Sequence, residues 1–328
     1  KLNREKISIP AVPYYGMVDG STGYIRFTNF TQNCITEVKD ALTDLKDKQG
    51  ATSIILDLRN NPGGLVSEAV EIVNLFVKPG QEVVSTRGRV KQYDAVFKTQ
   101  KNPVAPDMPL VILINRSSAS ASEIVAGAIQ DLDRGVILGE RSYGKGLVQV
   151  ARPLSYEAEL KLTTAKYYIP SGRCIQAVDF SHRNEDGSVG VIPDSLIRTF
   201  RTKNGREVKD GGGIIPDRTI ASEMLTRFTS ELYVQNMIFD FATEYYWSHP
   251  VPSNPDSIRI TDADFDGFGE FLKRKNFSYK TDSEAGLEEF VKLTKSEGLY
   301  EANSATITEL QKGVSHNLEN DLKTQKKD

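Results

Sequence analysis

Ser120 stands in the run SSASASEIVAGAIQD at 117–131, and Lys145 stands between two glycines in GERSYGKG at 139–146. A third segment, DLRNNPGG at 57–64, ends on Gly63 and Gly64. These residue types can perform nucleophilic acyl chemistry. A serine hydroxyl attacks a carbonyl once a neighbouring base takes its proton. Ser120 precedes Ala121, Ile124, Val125 and Ala128, an apolar stripe at helical spacing. Its hydroxyl would then lie at a helix N-terminus, beside unpaired N–H groups and the positive end of the dipole. The N–H of Ala121 could donate to an oxyanion. Gly63 or Gly64 could supply the second donor, because glycine lets backbone approach a substrate closely. The plainer alternative is that these serines only cap a helix.

The base is harder to place. The three histidines are His182 in a polar stretch, His249 before Pro250, and His316 near the end. None adjoins a glycine-flanked strand end. Lys145 does, following the apolar Val136–Gly139. To act as a base it must be neutral, so burial would have to bring its pKa from ~10.4 toward ~7–8. A solvated surface charge is the competing reading of this lysine.

The elements that must hold these residues can be read from periodicity. Gly23–Phe27, Ser53–Leu58, Leu110–Ile114, Val136–Gly139, Leu147–Leu154 and Leu160–Tyr168 read as strands. Thr31–Gln49, Ser67–Phe76 and Ala121–Ile129 read as helices, the first ending at Gly50. Apolar strands alternating with helices predict an α/β core covered on both faces. Each of the three segments falls where a strand gives way to a loop, the usual place for a site in an open α/β sheet. After 217 the spacing of Leu225, Phe228 and Leu232, of Leu287, Phe290 and Val291, and of Ile307, Leu310, Val314 and Leu318 predicts mainly helix. Thr281 followed by Glu284 suits a capping box there.

Composition fits this picture. The 328 residues are 39% hydrophobic and 26% charged, enough for about two globular domains. A net charge of −3 favours neither nucleic acid nor an anionic membrane as a partner. No stretch approaches the ~20 apolar residues of a membrane span. The opening KLNREKISIP is charged and strand-like rather than leader-like, and it lacks an initial Met, so a processed fragment is expected. Cys34, beside an apolar helical stripe, reads as a core residue; whether it pairs with Cys174 is open.

Two motifs imitate ligand sites. GERSYGKG has the glycine and lysine of a phosphate loop, but Gly146 replaces the Ser or Thr that binds magnesium, and a strand follows instead of a helix. DADFDG at 262–267 resembles the start of a calcium loop, but Lys273 stands where a bidentate Glu is needed. No nucleotide, metal or other cofactor is therefore expected.

The combination SASASEIVAGAIQD with GERSYGKGLVQ resembles the carboxyl-terminal processing, or tail-specific, proteases. DLRNNPGG, TTAKYYIPSGRCIQ at 163–176 and DGGGIIPD at 210–217 extend the resemblance over roughly residues 1–217. It implies a Ser–Lys dyad, with Ser120 as nucleophile and Lys145, 25 residues on, as general base. It further implies that Gln149 orients the lysine, that the amides of Ala121 and of Gly63 or Gly64 hold the oxyanion, and that Glu123 and Asp131 support the site. The expected fold is a crotonase/Clp-protease-like α/β core with a C-terminal, mainly helical region. The expected division is 1–14 as the remnant of a last PDZ strand plus linker, 15–217 as the protease core, and 218–328 as the helical region. Beyond 217 the resemblance is to a narrower, Bacteroidetes-like subgroup. The implied substrates are proteins or peptides bound through their C-terminal regions, outside the cytoplasm, in the periplasm or cell envelope. A homo-oligomer is left open. The competing class is a non-catalytic peptide-binding or scaffolding module of the same fold.

Overall fold

The apolar runs form parallel strands side by side. The computed structural model describes residues 7, 9–183, 186–221, 225–249, 258–315 and 318–325. In chain order the first unit contains β1 (Tyr14–Met17), β2 (Thr22–Arg26), α1 (Cys34–Thr43), β3 (Ser53–Asp57), α2 (Val66–Asn74), β4 (Glu82–Gly88) and β5 (Ala95–Lys98). β6 (Leu110–Ile114), α3 (Ala121–Asp131), β7 (Val136–Gly139), β8 (Leu147–Pro153) and β9 (Glu159–Tyr168) follow. Short strands complete it: β10 (Val178–Arg183), β11 (Val189–Val191), β12 (Thr199–Arg201), β13 (Glu207–Lys209) and β14 (Arg218–Thr219). The strand expected at the start of the chain falls mostly on residues outside the described set.

The main sheet has the order β1-β2-β3-β6-β7-β14, antiparallel only at β1. A second, antiparallel sheet has the order β5-β4-β9-β8. β10–β11 and β12–β13 are separate hairpins. The β8–β9 ribbon runs out to a turn where Tyr156 and Glu157 both adopt positive φ, and Leu154, Leu160 and Leu162 along it remain exposed.

Burial explains which elements hold fast. All 11 residues of α3 are buried, with Ile124, Val125 and Ile129 fully so. Each such side chain contributes about 1.5–3 kcal/mol of transfer free energy. α1 starts three residues later than its apolar period predicts. Asn33 is in the left-handed region, and Glu68 of α2 accepts from the N–H groups of Asn33 and Ile35 at 3.1 Å each. A carboxylate there complements the helix dipole. Glu68 also accepts from Cys34 Sγ, and burial together with that carboxylate pushes the Cys34 thiol pKa up. Both cysteines are free thiols.

At the end of β3, Asp57 is 4% exposed and accepts from Arg59 Nη2 and Tyr24 Oη, each at 2.7 Å. Burial raises its pKa, but the Arg59 and Tyr24 hydrogen bonds more than offset this, leaving it below the ordinary carboxylate value. A lowered carboxyl pKa stabilises the fold above the unfolded pKa and loses that contribution as pH falls through the folded one. Asp57→Asn should cost about 1–3 kcal/mol at neutral pH. In denaturant titrations the gap to the parent should close below about pH 4. A gap that stays constant at lower pH would assign the loss to packing alone.

The chain divides into two compact units between Ser222 and Glu223. The second is helical, as expected: α4 (Arg227–Val234), α5 (Met237–Ser248), α6 (Asp262–Arg274), α7 (Asp282–Ser296), α8 (Tyr300–Val314) and α9 (Leu318–Gln325). Its core gathers Phe228, Leu232, Phe271, Leu272 and Phe277. Thr281 and Glu284 form the expected capping box. Leu225, Phe290 and Leu310 stay exposed, although their spacing suggests a buried stripe. Asp262–Gly267 forms the first turns of α6, capped by Thr261, and not a cation-binding loop.

Candidate active site

β3, β6 and β7 are adjacent and parallel, with Asp57 opposite Leu113 and Ile114 opposite Gly139. Their carboxyl ends therefore share one edge of the sheet, and the three segments leave from that edge together. Short hydrogen bonds join them. Ala119 N–H donates to the Asn61 carbonyl at 3.0 Å, and Tyr143 N–H to the Ser118 carbonyl at 3.0 Å.

Ser120 is the residue before α3 and has φ 54°, ψ −113°. A non-glycine residue at positive φ is strained, and such strain tends to collect at sites that need a side chain aimed in one direction. The neighbouring serines are otherwise engaged. Ser118 Oγ donates to the Leu58 carbonyl at 2.8 Å and Ser122 Oγ to the Asn61 carbonyl at 2.9 Å. Among the described residues the Ser120 hydroxyl donates to no protein acceptor, and the residue is 9% exposed.

Gly63 lies directly against this turn. A Cβ placed on it would stand 2.8 Å from Ala121 N and 2.9 Å from Ser120 Cβ. The close approach requires glycine. However, the Gly63 N–H already donates to Asn61 Oδ1 at 2.9 Å. The Gly64 and Ala121 N–H groups have no hydrogen-bond acceptor among the described residues. Of the two glycines, Gly64 therefore holds the unspent donor, while Gly63 provides clearance. Asn61, fully buried and anchored to the Phe27 carbonyl at 2.9 Å, shapes this turn. Sequence reading passed it over, because its side-chain partners lie 34 residues away or within its own loop.

Lys145 is half-buried in the loop between β7 and β8, and among the described residues no carboxylate pairs with its side chain. Its main chain is tied to the Ser120 turn through Glu123. That carboxylate is 0% exposed and accepts four hydrogen bonds: Ser120 N–H at 2.9 Å, Lys145 N–H at 2.8 Å, Gly144 N–H at 2.7 Å and Ser142 Oγ at 2.5 Å. Burial raises the Glu123 pKa, and these donors oppose the rise.

The structure does not bring every expected residue to this point. Gln149 is exposed on β8, and among the described residues no hydrogen bond joins it to Lys145. Asp131 ends α3, roughly 15 Å of helix from Ser120. There it accepts from Ser171 N–H at 3.0 Å and from Arg173 Nη2 at 2.9 Å. Arg173, 1% exposed, also reaches Gln130 Oε1 and the Lys209 carbonyl. Asp131 thus fixes the 169–174 turn on the far end of the helix that Ser120 begins. His249 stacks on Tyr245 in the helical unit, at 3.7 Å between rings. His316 and the His182 side chain lie outside the described residues.

Residues 21–197 match the family described as Peptidase family S41, and residues 228–328 match the description "Probable PDZ-protease, C-terminal helical domain". A carboxy-terminal-processing protease of Bartonella bacilliformis is 41% identical over 201 residues, covering 60% of this chain and 43% of that protein. A carboxyl-terminal-processing protease of Synechocystis is 40% identical over 177 residues, covering 54% of this chain and 38% of that one. The chain thus spans about two fifths of the length of these relatives. Among solved structures, a photosystem II D1 C-terminal processing protease aligns with a TM-score of 0.49 at 28% identity, over 66% of this chain and 50% of that chain.

Proposed function

Because the chain belongs to peptidase family S41, we propose that it is the catalytic portion of a serine endopeptidase in which Ser120 and Lys145 form the dyad. Ser120 Oγ attacks the substrate carbonyl as Lys145 Nζ takes its proton. The N–H groups of Gly64 and Ala121 receive the negative charge that develops on the carbonyl oxygen, and stabilising that charge is usually the largest single contribution to such catalysis. When the tetrahedral intermediate collapses, Lys145 returns the proton to the departing amine. The acyl ester on Ser120 is then cut by water, with Lys145 again acting as the base. The scheme requires no metal or nucleotide.

The observation that carries this reading is the turn at 120. There a strained serine, whose hydroxyl has no acceptor among the described residues, stands at a buried helix start beside two unspent amide donors. The relatives' names supply the substrate class: proteins or peptides cut near their carboxyl termini. The family relationship is the support for a reaction outside the cytoplasm and for reading the first residues as the end of a PDZ domain. In this scheme Gln149, exposed on β8 in this structure, keeps the lysine-orienting role that its position implies.

A fluorophosphonate tests the reading directly, since it phosphonylates activated hydroxyl nucleophiles. Peptide mapping by mass spectrometry should place the adduct on Ser120, with none on Ser117, Ser118 or Ser122. A chain that takes no adduct and cleaves no unstructured protein would be a peptide-binding scaffold instead.

A further inference from the structure

One oxygen atom fixes Ser120 relative to Lys145. Glu123 Oε2 accepts from the main-chain N–H of both residues, at 2.9 and 2.8 Å. A rotation of the carboxylate therefore moves both partners of the dyad at once. Its other oxygen, Oε1, accepts from Gly144 N–H at 2.7 Å and from Ser142 Oγ at 2.5 Å. The Ser142 hydroxyl has one proton, and its oxygen accepts from Ile214 N–H at 2.7 Å. The proton must therefore point to Glu123. The Ser142 main chain is held as well, its N–H donating to the Ile214 carbonyl at 3.0 Å. Ser142 is 6% exposed.

The segment on the far side of Ser142 is built to lie close. Gly213 has φ 72°, and a Cβ there would stand 2.7 Å from Ser142 Oγ and 3.0 Å from Glu123 Oε1. Gly211 and Gly213 donate their N–H groups to the carbonyls of Cys174 and Ile175, at 3.2 and 2.9 Å.

We propose that Ser142 is a positioning residue: its hydroxyl locks the Glu123 carboxylate and so couples the glycine-rich segment 211–214 to the Ser120–Lys145 geometry. The inference rests on the dyad reading for its kinetic consequence, and on hydrogen-bond geometry alone for the coupling. Without the hydroxyl, Glu123 loses one of its four donors and the Ile214 N–H loses its acceptor. The carboxylate can then turn, and the nucleophile and base shift together.

The test compares the parent, Ser142→Ala, Glu123→Gln and the double variant in the full chain, by peptide hydrolysis and by hydrogen exchange with mass spectrometry. Ser142→Ala should lower kcat ~10–100-fold, as expected for misplacement of about an ångström, and leave KM within ~2-fold. The double variant should be no worse than Glu123→Gln by more than ~3-fold, since both changes act through one group. In Ser142→Ala, exchange should quicken in peptides covering 117–124 as well as 140–148, while those covering β3 and β6 stay protected. Losses that multiply in the double variant, a change confined to KM, or exchange that rises only over 140–148 would each overturn the proposal. A parent chain with neither hydrolysis nor fluorophosphonate adduct would sink the dyad reading alone; the exchange arm would then decide the coupling.

Discussion

Ser120→Ala and Lys145→Ala should each reduce kcat/KM for a peptide substrate by about four to six orders of magnitude, the scale on which removal of a nucleophile or its base acts. The two losses should not add. A nucleophile without its base and a base without its nucleophile fail at the same step, so the double variant should match either single one. Lys145→Arg should be as inactive as Lys145→Ala. It keeps the positive charge, but a guanidinium stays protonated and cannot accept the serine proton. None of these changes removes a main-chain N–H that Glu123 holds, so melting temperatures should stay close to that of the parent. Activity in Lys145→Arg within tenfold of the parent would mean that the charge is used and the lone pair is not, and the mechanism would fall.

The largest expected effect on stability lies at the opposite end of α3. Arg173 and Asp131 are 1% and 0% exposed at their side chains and meet at 2.9 Å. Breaking a buried ion pair from one side leaves the other charge without compensation, at a cost of about 3–5 kcal/mol. Arg173→Met keeps the stem's volume and should show that loss in urea unfolding. Adding Asp131→Leu should recover much of it, because replacing both ions by apolar groups removes the stranded charge. A single variant that loses less than about 1 kcal/mol would show that solvent reaches Asp131 and that the pair contributes little.

The candidate site at Ser120 was suggested by the sequence because its signals are local. The small residues before an apolar helical stripe, the glycines after β3 and the glycine-flanked Lys145 each carry their meaning within a few positions. Gly63 and Gly64 could not be told apart in the sequence. Which amide is free depends on Asn61 turning its side chain back on its own loop. Ser142 and Arg173 were missed for a different reason. Their partners Glu123 and Asp131 lie 19 and 42 residues away, and no periodicity marks a contact at such separations. Four of the six main-sheet strands, β2, β3, β6 and β7, were legible as apolar segments, whereas the edge strands β1 and the two-residue β14 were not. β4 and β5 were not, because VVSTRG and AVFK mix polar with apolar residues and β5 is largely exposed. Gln149 was named by its position relative to Lys145 alone, and in this structure it is exposed on β8.

The backbone at 120 has a further consequence, for selection. With φ 54° and ψ −113°, it is a conformation that glycine adopts with little strain, whereas a side chain there costs about 1–3 kcal/mol. Glycine, which also lacks the hydroxyl, would relieve that strain, offset in part by its own entropic cost of about 0.5–1 kcal/mol. A population selected only for resistance to heat would tend to lose Ser120, and one selected for turnover would keep it and accept a lower melting point.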